Sequence, residues 1–178
     1  MRTLLLDRDG VINQDSPDFI RTPGEFRPLP GALEAVVRAQ RAGYRVIIVS
    51  NQSGLARGLF AMRDLNAIHR RLQDELERLG GRVEAFFFCP HGPDDGCDCR
   101  KPAGGLLRAL ATRLGVELGN VPFIGDRISD ARAAQSVGAR PLLVRTGLQP
   151  LGAAALTALG PVEVFDDLPA AVEALLSC

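Results

Sequence analysis

The sequence predicts an α/β fold in which helices cover both faces of a parallel sheet. Short apolar runs, typical of buried strands, alternate along the chain with amphipathic helical patterns. This alternation favours parallel pairing, because each connection must cross back over the sheet, and such crossovers are right-handed. The predicted strands are 4–6, 44–49, 83–88, 121–124, 141–144 and 162–165, and the predicted helices are 32–42, 62–79, 105–114, 129–137 and 168–176.

Each predicted helix is identified by apolar spacing and most of them also by a glycine at the end. The longest, 62–79, has apolar residues at steps of three and four and is followed by Gly80-Gly81. Two segments lack any regular pattern: the proline-rich 13–30 and the Gly-, Pro- and Cys-rich 89–101. Because long ordered loops in compact domains are usually functional, we expect a flap at 13–30 and a functional loop at 89–101.

The composition excludes several classes of protein. The 178 residues are enough for one domain, spanning 1–178, with a sizeable core. Lys and Arg number 21, as do Asp and Glu, so nothing supports a non-specific nucleic-acid or membrane surface. No apolar stretch approaches the ~20 residues of a membrane span, and the first strand lies too close to the N-terminus for a signal peptide. We therefore expect a cytoplasmic monomer.

The first predicted strand ends in two acids, Asp7 and Asp9, followed by Gly10. If the chain stays extended, the two side chains point the same way. Two converging carboxylates repel each other unless a cation joins them or one holds a proton, and both outcomes suit catalysis. A solvated Asp-Gly turn explains this segment equally well when it is taken alone.

Polar residues also follow the second and fourth strands. Ser50 comes directly after an apolar run and could hold a phosphate oxygen, although a helix cap or turn is the favoured interpretation of that segment alone. Asp126 ends the fourth strand, and Asp130 falls in the first turn of the next helix, where an acid is favoured anyway. Lys101 closes the Cys-rich loop at the expected start of a helix, where it could face an anion.

The order of these motifs, D-R-D-G, S-N, R-K-P and G-D-R-I-S-D, resembles the haloacid dehalogenase superfamily of phosphohydrolases over residues 4 to about 147. The resemblance implies a Rossmann-like sheet and a two-step phosphoryl transfer, and the gaps between the motifs are too short to hold a separate cap domain. Asp7 would be the nucleophile that forms an aspartyl phosphate. Asp9 would protonate the leaving oxygen and then activate the attacking water.

The same resemblance implies how the negative charge of the site is balanced. Ser50 and Lys101 would hold the phosphoryl oxygens. A catalytic Mg²⁺ would lie between Asp7, the backbone carbonyl of Asp9 and Asp126, and Asp130 would orient that site from behind.

The loop at 89–101 contains three thiols and an imidazole: Cys89, His91, Cys97 and Cys99. Four such ligands within eleven residues predict a closed, structural Zn²⁺ site, with free thiols as the alternative. The metal would fix the loop so that Arg100 and Lys101 arrive already oriented. Cys178, the remaining cysteine, is expected to be a free thiol.

Four longer motifs, D-R-D-G-V-I-N, S-N-Q-S-G-L-A-R-G, C-P-H-G-P-D-D-G-C-D-C-R-K-P and L-V-R-T-G, are similar to the heptose-bisphosphate 7-phosphatase branch of that superfamily. This branch removes the 7-phosphate of D-glycero-D-manno-heptose 1,7-bisphosphate during synthesis of nucleotide-activated heptose. Histidinol-phosphate phosphatases share the zinc loop but usually have Asp in place of Ser53 and lack A-R-G at 56–58, so they are the alternative. A more distant alternative is a zinc-stabilised protein that binds phosphate without catalysing a reaction.

The implied partner is a small sugar phosphate. The chain departs from the branch at 103–106, which often contains x-P-G-M, and at Arg127, where Lys is frequent. The implied substrate contacts are Asp15, Ser16, Pro17, Asp18, Asn51, Gln52, Ser53, Arg100 and Arg127.

Overall fold

A computed structural model describes residues 2–177, so Cys178 and its expected free thiol lie outside the described part. Six strands form one parallel sheet in the order β3-β2-β1-β4-β5-β6. The strands are β1 Arg2–Leu6, β2 Tyr44–Asn51, β3 Ala85–Cys89, β4 Pro122–Gly125, β5 Arg140–Val144 and β6 Glu163–Phe165. The helices are α1 Ala32–Arg41, α2 Met62–Arg78, α3 Gly105–Leu114, α4 Ile128–Gln135, α5 Ala153–Leu159 and α6 Leu168–Leu176.

The central strand β1 divides the core into two layers. Leu4 and Leu6 face one layer, in which α1, α2 and α6 pack on the sheet. Leu5 faces the other, which α3 and α4 cover. All three leucines are completely buried, as expected for a strand covered on both faces.

The strand order reverses between β1 and β4, which is where doubly wound sheets bind their ligands, at the carboxyl ends of the strands. The amide of Asp7 donates to the carbonyl of Ile124 over 2.9 Å, so β1 and β4 stay paired up to this edge. The residues after both strands are therefore adjacent, and these are Asp7 and Asp126.

The predicted parallel α/β sheet is confirmed, and all predicted strands and helices are present with bounds shifted by a few residues. Two elements were not predicted: α5 and a 3₁₀ turn at Pro23–Glu25 within the flap. The flap is anchored at its stem, where the amide of Gln14 donates to Arg27 and that of Leu29 donates to Ile12, both over 2.8 Å. Within residues 2–177, no helix is long and apolar enough to cross a membrane.

Candidate active site

Three carboxylates meet at the edge of the sheet where the strand order reverses. Asp7 follows β1, Asp126 follows β4, and Asp130 lies in the first turn of α4. One oxygen from each lies within 4.8 Å of the others, and all three residues are buried. Such a cluster carries strong mutual repulsion unless cations offset it.

Lys101 supplies one of those cations. Its Nζ lies 3.1 Å from Oδ2 of Asp7 and 2.7 Å from Oδ1 of Asp130, and it donates to the carbonyl of Val49 over 2.9 Å. Burial alone would lower the pKa of Lys101, but Asp130 and Asp7 outweigh it and raise that pKa. The ammonium therefore stays charged although only 3% of the residue is exposed.

Asn51 holds Lys101 in place. Its Nδ2 donates to the carbonyl of Lys101 over 3.0 Å, and its Oδ1 accepts from the amide of Lys101 over 3.1 Å. Lys101 lies in a turn four residues ahead of α3, not at the start of a helix. Asn51, predicted as a substrate contact, thus has its side-chain amide committed to positioning the lysine.

Asp126 has the least compensated charge of the cluster. Neither of its carboxylate oxygens has a hydrogen-bond partner in the described residues, and the nearest cation is Nε of Arg127, 3.6 Å away. Burial, followed by the charges of Asp7 and Asp130, raises the pKa of Asp126 to about 8. Burial likewise raises the pKa of Asp7 to about 7, although Lys101 opposes it.

Two glycines allow the backbone to approach Asp126 closely. A Cβ atom at Gly10 or at Gly147 would overlap Oδ2 of Asp126. Asp130, in contrast, is already engaged, because its Oδ2 accepts from the amide of Arg127 over 2.9 Å and its Oδ1 pairs with Lys101. The buried oxygens of Asp126, which accept no hydrogen bond in the described residues and lie beside a crowded backbone, fit a small hard cation bound by Asp7 and Asp126.

A cavity of about 470 Å³ opens above these carboxylates. Asp7, Asp9 and Lys101 line it, together with the predicted substrate contacts Asp15, Ser16, Pro17, Asn51, Gln52, Ser53, Arg100 and Arg127. Asp18 does not line this cavity but a neighbouring depression, which Asp15 and Ser16 also line, so its contact with a substrate stays a prediction. Ser50 is 1% exposed and lies below the cavity wall, with its Oγ accepting from Gln52 over 3.3 Å.

Five lining residues were not predicted: Phe19, Ile20, Arg57, Leu148 and Gln149. Arg57 lies over the ring of Phe19 at 5.6 Å from its centroid. The sequence marks Arg57 only as part of the A-R-G segment that the chain shares with the family, and nothing in the local sequence indicates Leu148. Its position depends on the path of the loop after β5.

Arg127 ties the flap to the rim of the site. Its Nη2 lies 2.6 Å from Oδ2 of Asp15, so the guanidinium bridges the flap and the loop after β4. Because this pair is partly shielded from solvent, we expect it to restrain the flap more than an exposed pair would.

The four loop ligands converge as the sequence predicts. Cys89 Sγ lies 3.6 Å from Cys97 Sγ and 3.2 Å from Cys99 Sγ, and Nδ1 of His91 lies 3.2 Å from Cys99 Sγ. These separations exceed an S–S bond and approach the edge lengths of a tetrahedron of ligands around one metal ion. The loop is also tied to the segment after β2, since the amide of Gln52 donates to the carbonyl of Cys89 over 2.8 Å.

Comparison with known proteins identifies the family. A family model described as HAD-hydrolase-like matches residues 98–171. The D-glycero-beta-D-manno-heptose-1,7-bisphosphate 7-phosphatase from Bordetella bronchiseptica is 48% identical to this chain, and the match covers 99% of this chain and 98% of the relative. The enzyme of the same name from Pseudomonas aeruginosa is 46% identical, and the match covers 97% of each chain. The crystal structure of the B. bronchiseptica D,D-heptose 1,7-bisphosphate phosphatase, complexed with magnesium and phosphate, superposes with a TM-score of 0.92 at 48% identity and covers 99% of each chain. The chain therefore belongs to the family of heptose-bisphosphate 7-phosphatases within the haloacid dehalogenase-like hydrolases.

Proposed function

We propose that this protein hydrolyses the 7-phosphate of D-glycero-β-D-manno-heptose 1,7-bisphosphate through an aspartyl phosphate on Asp7. The observation that carries the proposal is near-full-length identity of 46–48% to phosphatases named for that substrate. The buried Asp7 beside Lys101, at the floor of a sugar-sized cavity, supports the chemistry. The names of both relatives specify the β anomer.

The reaction has two balanced steps. First, a carboxylate oxygen of Asp7 bonds to phosphorus while the bond from phosphorus to the sugar oxygen breaks, and Asp9 gives its proton to that oxygen. Second, a water oxygen attacks the phosphorus, its proton passes to Asp9, and the bond to Asp7 breaks. Inorganic phosphate leaves, and both aspartates return to their starting state.

Asp7 and Asp126, with the backbone carbonyl of Asp9, would hold Mg²⁺. A bound magnesium ion offsets the repulsion between the carboxylates and the incoming phosphoryl group. The unpaired oxygens of Asp126 support this assignment. Lys101 would neutralise the phosphoryl oxygens from the opposite side, and a contact from Ser50 stays a prediction.

Two arginines are suited to hold the second phosphate of the substrate. Arg57 and Arg100 line the cavity, and neither has a carboxylate partner among the described residues. Arg100 instead donates to the carbonyl of His91 over 3.3 Å, which connects it to the Cys/His loop. Guanidinium groups that are not engaged by acids favour a bisphosphate over a monophosphate.

Zn²⁺ is the metal we assign to the Cys/His loop, as a structural ion. Three thiolates and one imidazole leave no open position for substrate or water, and soft ligands select zinc over magnesium. The ion would hold Arg100 and Lys101 at the cavity rim. A cytoplasmic location, a monomeric state and a single domain over 1–178 stay predictions from the sequence.

A substrate panel tests the proposal. Phosphate release is measured from the β and α anomers of heptose bisphosphate, from histidinol phosphate and from a heptose monophosphate, each with and without Mg²⁺. We expect the highest kcat/KM for the β-bisphosphate, dependence on Mg²⁺, and no turnover by Asp7→Asn. A higher kcat/KM for histidinol phosphate would overturn the substrate assignment and favour the sister family.

The arginine assignment has its own control. Arg57→Gln is expected to lower kcat/KM for the bisphosphate about 10- to 100-fold, the effect of losing one charge-assisted contact, while changing that for the monophosphate little. Arg71→Gln, on the exposed face of α2, is the matched control and should change neither.

A further inference from the structure

Arg8 is a buried cation without a role in the reaction described above. It lies between Asp7 and Asp9 in the sequence, and its side chain is 0% exposed. A guanidinium so completely removed from water is costly unless it is paired. The ion-pair partner of Arg8 therefore indicates the role of this arginine.

That partner is Asp9. Arg8 donates to Oδ1 of Asp9 from Nε over 3.0 Å and from Nη2 over 2.9 Å, and to Oδ2 from Nη2 over 2.8 Å. The carboxylate of Asp9 is the only one with which Arg8 forms an ion pair in the described residues. A planar guanidinium bound to both oxygens fixes the direction of the carboxylate as well as its position.

Two side-chain amides also donate hydrogen bonds to the carboxylate of Asp9. Nδ2 of Asn13, at the stem of the flap, donates to Oδ1 over 2.9 Å, and Nε2 of Gln52, after β2, donates to Oδ2 over 3.0 Å. The donors thus come from three separate segments of the chain. Even so, 20% of the Asp9 side chain is exposed, and it lines the cavity above Asp7.

The titratable group that Arg8 influences on α2 is His69. His69, on α2, is 7% exposed and stacks on Phe86 with ring centroids 4.2 Å apart. Burial, and then the charge of Arg8, lower the pKa of His69 to about 3, so the imidazole stays neutral. The imidazole therefore adds no second positive charge near Arg8, whose ion pair in the described residues is with Asp9.

We propose that Arg8 is a positioning residue for proton transfer: its guanidinium, assisted by Asn13, aims the carboxyl of Asp9 at the sugar oxygen that leaves phosphorus and at the water that follows. This inference rests on the proposed function, because it assumes that Asp9 is the acid and base. It assigns Arg8 no contact with the substrate. If Arg8 has this role, its loss should lower kcat/KM only for substrates whose leaving group needs a proton.

Leaving groups of different basicity test that consequence. A sugar alkoxide needs a proton to leave, whereas the nitrophenolate of p-nitrophenyl phosphate leaves without one. kcat/KM, which reports the steps up to phosphoryl transfer onto Asp7, is measured for both with Arg8→Gln and Asp9→Asn. A general acid contributes about 10²- to 10⁴-fold, so we expect Arg8→Gln to lose about 10²-fold on the sugar phosphate and less than about 10-fold on the aryl phosphate.

Two further variants guard against trivial explanations. Arg45→Gln removes a guanidinium near the opposite edge of the sheet, where Arg45 pairs with Glu84, and is expected to leave both substrates unchanged. Because a buried Arg8→Gln protein could fail to fold, Asn13→Ser is measured as well. It removes one donor to Asp9 and keeps Arg8, and we expect a smaller loss with the same selectivity for the sugar phosphate.

The outcomes separate the inference from the function on which it rests. Equal losses on the two substrates in Arg8→Gln, or in Asn13→Ser if the former does not fold, overturn the positioning role. If Asp9→Asn itself retains full activity on the sugar phosphate, the acid–base assignment in the proposed function is wrong. A selective loss in both Asp9→Asn and the Arg8 or Asn13 variant supports the inference.

Discussion

Replacing Asp126 with Asn should stabilise the metal-free protein while destroying its response to magnesium. At 1.36 kcal/mol per pKa unit, the rise of the Asp126 pKa from 3.8 to about 8 corresponds to a folding penalty on the order of 5 kcal/mol near pH 8. The amide of Asn removes that charge but leaves a buried polar group unpaired, which costs about 1–3 kcal/mol. We therefore expect Asp126→Asn to gain about 2–4 kcal/mol in the free energy of unfolding at that pH.

The sign of the pH dependence follows from the raised pKa. The folded state binds the Asp126 proton more tightly than the unfolded chain, so the penalty is absent below about pH 4 and grows until about pH 8. The advantage of Asp126→Asn should accordingly shrink to near zero at about pH 5. Added Mg²⁺ should stabilise the wild type and leave the variant unchanged, since the metal binds only the folded state.

Urea unfolding followed by circular dichroism measures these differences at both pH values, with and without saturating Mg²⁺. Asp74→Asn, on the exposed side of α2, is the matched control for removing an acid. If Asp126→Asn were less stable than the wild type at the higher pH, the carboxylate would not be an uncompensated charge. A stabilisation of the variant by Mg²⁺ equal to that of the wild type would place the ion elsewhere.

Two other changes test the proposed roles of Lys101 and of the Cys/His loop. Lys101→Met removes the ammonium group that pairs with the buried carboxylates. We therefore expect turnover, measured by phosphate release, to fall more than about 10³-fold, and the free energy of unfolding of the metal-free protein, measured in urea, to fall by about 3–5 kcal/mol at about pH 8. A loss of less than about 10-fold in turnover would contradict this role. Cys97→Ser should lower the amount of bound zinc, measured by elemental analysis. It should also raise KM for the bisphosphate more than it lowers kcat, because Arg100 loses the support of the loop. Asp94→Ser in the same loop is the control, and an unchanged zinc content in Cys97→Ser would contradict the assignment.

The strand ends were predictable because their chemistry is local. An apolar run that stops abruptly before Asp7 or Asp126 marks the end of a buried strand, whatever the rest of the chain does. Parallel pairing then brings such ends to one edge of the sheet. The four ligands of the Cys/His loop were likewise predictable, because a short loop limits how far apart they can lie.

Contacts that depend on the path of a loop were not predictable. Asp18 lies only three residues from Asp15, yet Asp15 lines both the cavity and the neighbouring depression, whereas Asp18 lines only the depression. Leu148 reaches the cavity only because the loop after β5 crosses toward Gly10, where Thr146 donates to the Gly10 carbonyl over 2.6 Å. Neither fact is encoded in the composition of the segment itself.

The pairing of charges explains why two aspartates separated by one residue can do different work. Arg8 donates to both oxygens of Asp9, and Asp9 has no ion pair with Lys101 in the described residues. Lys101 is then free to divide its charge between Asp7 and Asp130, and the charge left without a close partner falls on Asp126. A divalent cation is therefore most strongly attracted between Asp7 and Asp126, away from the side chain of Asp9. In the proposed mechanism, Arg8 keeps the carboxyl of Asp9 apart from the metal. Replacing Arg8 or Lys101 with a neutral residue should therefore impair different functions, proton transfer by Asp9 in one case and neutralisation of the phosphoryl oxygens in the other.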